Sequence, residues 1–184
     1  IGDGGAIFTD DKILYEKIKN IAKLGQNKRL EVDDLGINSR MNSIQAIMIL
    51  SQMKYMKLIK DNLKKKYQFY INLLKKYNIK CRVLKHKKSV YPHHLNFCIY
   101  LKKDRDKLSN FLLSKNIETA TNYEKILPDL KIFKKYVPTN YKIKYKNSAS
   151  LAASVLNLPF YYNIKNNDQI KVVKEISNFQ KINV

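Results

Sequence analysis

The sequence predicts a mixed fold: an α/β edge, then one long helix, then a small α+β domain. Three observations carry that expectation. No glycine or proline occurs between Gly36 and Pro92, and apolar residues recur through most of that run at gaps of three and four. Two segments after it switch to a period of two. Several short helical patterns then close the chain, so strands and helices are segregated rather than strictly alternating.

The elements follow in order. Ile1-Gly2-Asp3-Gly4-Gly5 reads as a tight turn feeding a strand over residues 4 to 9. A turn of that kind, pressed against something upstream, leads us to expect the C-terminal part of a larger protein. Asp10 or Asp11 is placed to cap a helix running to about Leu24, with Leu14, Ile18 and Ile21 on its inner side. Gly25 is the expected stop. Residues 26 to 41 have no helical periodicity and form a loop long enough to suspect function.

Asn42 is the N-cap expected of the long helix, with Gln45 three residues on to complete a capping box. Ile49, Met53, Met56, Ile59, Leu63, Tyr67, Tyr70, Leu74 and Tyr77 then line one face. A helix of about 35 residues would be roughly 50 Å long. Beyond it, Ile79, Cys81 and Val83 alternate with Lys80 and Arg82, and Leu95, Phe97, Ile99 and Leu101 alternate with Asn96, Cys98 and Tyr100. Both patterns predict half-buried strands. Asp104 is expected to cap a short helix carrying Leu108, Phe111 and Leu112. A third strand is predicted over 117–121, and helices near 129–136, 147–156 and from about Asn167 to the end. The expected division is a remnant of a larger domain over 1–41, the long helix over 42–77 and a small α+β domain over 78–184.

Composition narrows the function classes. With 45% hydrophobic residues the chain can bury a core. Its longest apolar run, residues 46 to 50, is far short of the ~20 residues of a membrane span, so no membrane insertion is expected. The formal charge of +21 invites a nucleic-acid reading. Arginine, however, occurs only at positions 29, 40, 82 and 105, and the lysines are dispersed along every segment. Base and phosphate readers favour the bidentate arginine fork, so no specific nucleic-acid binding is expected. Cys81 and Cys98 have neither disulfide-framework nor metal spacing and read as reduced strand residues of a cytoplasmic protein. His93-His94 reads as a strand-edge pair, since no carboxylate or cysteine stands at metal-ligand spacing.

One segment has a sharper chemistry. In Gly36-Ile37-Asn38-Ser39-Arg40-Met41-Asn42, an amide and a scarce arginine share a loop just ahead of a capped helix. Asn38 offers an amide donor and Arg40 a planar donor fork, groups suited to a phosphate or carboxylate. A turn asparagine and a surface ion pair would use the same two residues.

The run Gly2-Asp3-Gly4-Gly5-Ala6-Ile7-Phe8-Thr9-Asp10-Asp11, the later Gly25-Gln26-Asn27-Lys28, and the segment from Leu35 through Arg40 to Ala46 together resemble the DegT/DnrJ/EryC1/StrS family of sugar aminotransferases. The likeness runs in order over about residues 1 to 180. It extends to Ile117-Glu118-Thr119-Ala120-Thr121-Asn122-Tyr123 and to the stretch from Val155 to Ile164. It implies the C-terminal part of a pyridoxal-phosphate-dependent transferase of fold type I, the aspartate-aminotransferase fold. It also implies transfer of an amino group from glutamate to a keto-sugar nucleotide, for surface-glycan or amino-sugar biosynthesis, by a homodimer with its active site at the subunit interface. The Schiff-base lysine of the family precedes the Gly2-Asp3-Gly4-Gly5 motif, so no lysine here takes that role and the isolated chain is expected to be inactive. By resemblance Asn38 reaches the cofactor phosphate of the partner subunit, and Arg40 and Tyr123 meet substrate. Asn122 and Leu127-Pro128-Asp129 stand where the family often has histidines, which bears on sugar specificity. The alternative is a catalytically inactive fragment or interaction module of the same fold.

Overall fold

The computed structural model describes residues 5–83 and 97–182. The chain forms two compact units, Ile1–Met56 and Lys57–Val184. The tight turn at residues 2–4, His93-His94 and the first two residues of the second predicted strand lie outside the described residues.

In the first unit, residues 5 to 9 have no regular secondary structure and pair with no strand among the described residues. The expected strand fails because a strand needs a ladder partner, and none stands beside it among the described residues. Helix α1 spans Lys12–Ala22, with Asp11 as N-cap accepting from the amides of Ile13 and Leu14 at 2.8 and 3.0 Å. Helix α2 spans Ser43–Met53 behind the expected capping box: the Asn42 side chain accepts from the backbone of Ile44, and Gln45 accepts from the Asn42 amide at 3.1 Å. Neither helix buries a single side chain. Helix α2 is apolar nearly all round, yet Ile47 and Leu50 are 66% and 62% exposed.

The long helix is not continuous. It breaks at Lys54 and Tyr55, where the Tyr55 amide bonds back three residues to Gln52 at 2.9 Å, and α3 begins anew at Met56–Lys76. No glycine or proline marks the break. It lies at the boundary between the two units.

The second unit holds the core. Leu63, Tyr70, Leu73 and Leu74 of α3 face a three-stranded antiparallel sheet in the order β1-β2-β3, made of Arg82–Val83, Phe97–Tyr100 and Val155–Leu158. Strand β2 alternates as expected, with Phe97 and Ile99 fully buried. Helix α4, Arg105–Ser114, buries Leu108 and Leu112 against the same core. Short 3-10 turns at Leu127–Asp129 and Lys131–Tyr136 lead to α5, Tyr141–Lys144, and α6, Lys146–Ser154. Helix α7, Asn166–Ile182, closes the unit with Val172, Val173, Ile176 and Phe179 inward.

Two strand expectations need correction. The third strand is residues 155–158, read from sequence as a helix end, and not residues 117–121. Of the latter only Ala120 pairs, bridging Asn157 on the outer side of β3. All four β3 residues are buried, the polar Asn157 among them, so burial here does not follow the alternation of a half-exposed strand.

The cysteines are free and half-buried. Burial pushes the Cys81 thiol up to about 11, and burial also raises Cys98 and Tyr70. A raised thiol favours the neutral form in the folded state, so its stabilisation is complete below the unfolded thiol value of about 8.5 and fades as pH climbs toward that of the folded state. The urea midpoint should therefore fall between pH ~8.5 and ~11, and Cys81→Ala should flatten that slope. A midpoint constant across that range would contradict the assignment. Among the described residues no helix is long and apolar enough to cross a membrane.

Candidate functional site

The loop carrying Asn38 and Arg40 is built on the end of α1. After Ala22 the chain turns through Leu24 and Gly25, both in the left-handed region at φ 67° and 78°. It then returns so that residues 37–39 run beside 21–24. The Ile37 amide donates to the Ile21 carbonyl at 2.8 Å, Leu24 to Ile37 at 3.2 Å, and Ser39 to Ala22 at 3.1 Å. Lys23 and Asn38 form an antiparallel bridge.

Two glycines make this return possible. A Cβ on Gly25 would fall under 3.0 Å from the Asp34 carbonyl, and one on Gly36 would fall that close to the Gly25 backbone. Gly25 was expected only to stop a helix; its closer constraint is contact with the far side of the loop. Inside the return, Asn27 organises the chain. Its Oδ1 accepts from the amides of Arg29 and Glu31 at 2.8 and 3.1 Å, while its Nδ2 donates to Glu31 and to Asp33 at 3.1 and 2.7 Å. Sequence reasoning passed over Asn27. The signal was an asparagine with two acids four and six residues on, an arrangement suited to Asx-type turns.

Asn38 is thus fixed through its backbone, and Asn42 is fixed by its cap. Arg40 lies midway between these anchors. Both Asn38 and Arg40 are exposed, and among the described residues no carboxylate approaches Arg40 and no side-chain hydrogen bond engages Asn38. The pair offers the N–H groups of an amide and a guanidinium, which can donate to an anion. That donor set fits a phosphate or carboxylate, including the phosphate of a cofactor. A cleft of about 330 Å³ beside the loop is lined by Glu16, Asn27, Lys28, Arg29 and Glu31. Its mixed charge, with Lys28 3.7 Å from Glu16, makes it no anion pocket.

Tyr123 belongs to the second unit. Its segment is closed at the base by Ala120, which exchanges backbone hydrogen bonds with Asn157 at 3.1 and 2.8 Å. Further along, the Tyr141 hydroxyl donates to Asp129 at 2.7 Å, and that hydrogen bond raises the Tyr141 phenol. Tyr123 itself stands 79% exposed. The structure therefore sets Asn38 and Arg40 together on one loop and Tyr123 on a separate unit. No group of three His, Cys, Asp or Glu suited to a metal occurs among the described residues.

The sequence model of the DegT/DnrJ/EryC1/StrS aminotransferase family matches residues 1–177. A UDP-2-acetamido-2-deoxy-3-oxo-D-glucuronate aminotransferase of Pseudomonas aeruginosa is 43% identical over 53 residues, 29% of this chain and 15% of that protein. A dTDP-4-amino-4,6-dideoxy-D-glucose transaminase of Shigella dysenteriae is 26% identical over 163 residues, 86% of this chain and 43% of that one. A solved DegT DnrJ EryC1 StrS aminotransferase from Brucella abortus superposes with a TM-score of 0.80 at 23% identity, covering 94% of this chain and 45% of its own. This chain spans less than half the length of these three proteins. The likeness in structure gives the fold: the C-terminal part of an aspartate-aminotransferase-like architecture, with a small antiparallel sheet and flanking helices.

Proposed function

From the premise that the chain belongs to the DegT/DnrJ/EryC1/StrS aminotransferase family, we propose that it serves as the C-terminal part of a sugar-nucleotide aminotransferase. The family's aminotransferases depend on pyridoxal 5'-phosphate. In this reading glutamate supplies the amino group and a keto-sugar nucleotide receives it. The work is done in the cytoplasm, in a homodimer whose subunits share the site. The observation that carries the reading is the anchored loop with two anion donors, Asn38 and Arg40, held between a β-bridge and a helix cap. The coreless first unit, with an apolar helix that buries nothing, supports a chain completed by further protein.

The roles follow from the donors. The Asn38 amide holds a phosphate oxygen by hydrogen bonding and adds no charge of its own. Arg40, through its planar guanidinium fork, neutralises a substrate carboxylate or phosphate and orients it. Tyr123 contributes a phenolic hydroxyl that can donate to, or accept from, a sugar hydroxyl. Pyridoxal phosphate, when bound, supplies the electron sink for moving the amino group.

The test uses this chain fused behind the N-terminal half of the Shigella transaminase. Visible-range cofactor absorbance and glutamate-dependent amination of a dTDP-keto-sugar are expected of the fusion and absent from the 184-residue chain alone. Losing a charge-assisted contact of about 1.5–3 kcal/mol, Arg40→Ala should reduce kcat/KM by roughly 10- to 100-fold. Asn38→Ala should mainly weaken cofactor retention. A folded, cofactor-loaded fusion indifferent to both substitutions would sink the assignment. A folded fusion that never takes up cofactor would favour the inactive module.

A further inference from the structure

A concavity in the second unit is lined by residues other than Asn38, Arg40 and Tyr123. It encloses about 960 Å³ where the start of β1, the turn after β2 and the ends of α6 and α7 converge. Four cations line it: Lys80, Arg82, Lys102 and Lys103. Among the described residues the one acid of the lining, Asp104, is engaged by Lys107 at 3.0 Å. Among the described residues no carboxylate lies within ion-pair distance of the four cations.

Helix ends do not account for this charge. The closing carbonyls of α6 have other donors: Ser154 Oγ donates to Leu151, and Arg105 Nη1 donates to Ala152 and Val155, at 3.2 to 3.4 Å. The backbone of Lys80 is clamped by Gln180, which accepts from its amide at 2.9 Å and donates to its carbonyl at 3.3 Å. The rim is thereby fixed in place. Arg82 lies over the Tyr100 ring, 5.5 Å from its centroid, and is exposed; a guanidinium stacked on one face can still offer its edge to an anion. Leu101, Leu108, Ala153 and Phe179 complete the lining with apolar groups. Cys81 also faces the cavity, but its raised thiol is neutral near pH 7 and supplies no thiolate nucleophile.

We propose that this cavity is a binding site for a phosphorylated small molecule with an aromatic or apolar body, its phosphates on the lysine and arginine rim and its body on Arg82 and the apolar wall. The volume is that of a site for a drug-sized ligand. Bare phosphate would use only the rim.

The experiment titrates ADP, inorganic phosphate and adenosine separately into the 184-residue chain, by calorimetry and by amide chemical shifts. ADP is expected to bind with a Kd of about 0.1–1 mM, with phosphate roughly tenfold weaker and adenosine weaker still. Arg82→Ala and Lys102→Glu should each weaken ADP by about tenfold or more while circular dichroism stays unchanged, and affinity should fall with added salt. Lys131→Glu, outside the cavity, should leave ADP binding intact. The site is overturned if ADP fails to bind by ~10 mM or if adenosine binds as well as ADP. Equal loss from Lys131→Glu would mean a diffuse polycation effect and also overturns it. None of these outcomes depends on the aminotransferase reading.

Discussion

Gly36→Ala is expected to abolish the loop that carries Asn38 and Arg40. The new methyl would sit inside the backbone of Gly25 and Leu24, where nothing flexible can yield. Relieving it requires residues 36–39 to part from 21–24, breaking the hydrogen bonds from Ile37, Leu24 and Ser39 together. Overpacking of this severity costs roughly 3 kcal/mol or more, above what three exposed loop hydrogen bonds return at about 1 kcal/mol each or less. The readout is amide hydrogen exchange: Leu24, Ile37 and Ser39 should lose protection, while amides of the second unit keep theirs. Gly25→Asn is a sharper control. Asparagine tolerates a positive φ better than most residues, so a purely conformational constraint would be met. The close approach to Asp34 would still exclude its Cβ. Retained protection in Gly25→Asn would show that φ alone sets the requirement.

Phe97→Ala should give the largest loss of global stability. Phe97 is fully buried on the central strand and touches three rings, with centroids at 4.6 Å from Tyr70, 4.9 Å from Tyr67 and 6.0 Å from Phe160. Truncation removes the transfer energy of the ring and leaves a cavity that helix α3 and the segment after β3 must both shift to fill. The expected cost is about 3–5 kcal/mol, a large share of a domain's net stability. Urea unfolding should show a lower midpoint with an unchanged slope. A loss below about 1 kcal/mol would mean the ring cluster repacks freely. Tyr70→Phe separates packing from polarity. It keeps the ring but removes the hydroxyl that donates to the Pro159 carbonyl at 2.9 Å, for an expected cost of about 1 kcal/mol.

The sequence by itself determined the parts whose signals are local. Asp11 and the Asn42–Gln45 box mark helix starts because a cap satisfies amides within three residues. The inward faces of α3, β2 and α7 are legible because burial imposes a period on side chains. That Asn38 and Arg40 share one loop ahead of a capped helix is also legible from the sequence. Other features have no local cause. The break at Lys54 and Tyr55 occurs in a sequence that would continue as helix, at a boundary set by which unit each side joins. Residues 155–158 become a strand because β2 on one side and Ala120 on the other exchange hydrogen bonds with them, while residues 5–9 have no such partner among the described residues. The demand for glycine at 25 and 36 arises where two stretches eleven residues apart meet. The cationic cavity gathers side chains from positions 80 to 180. Periodicity and capping act over a turn or two of chain, whereas ladders, close approaches and pockets depend on which distant segments are brought together.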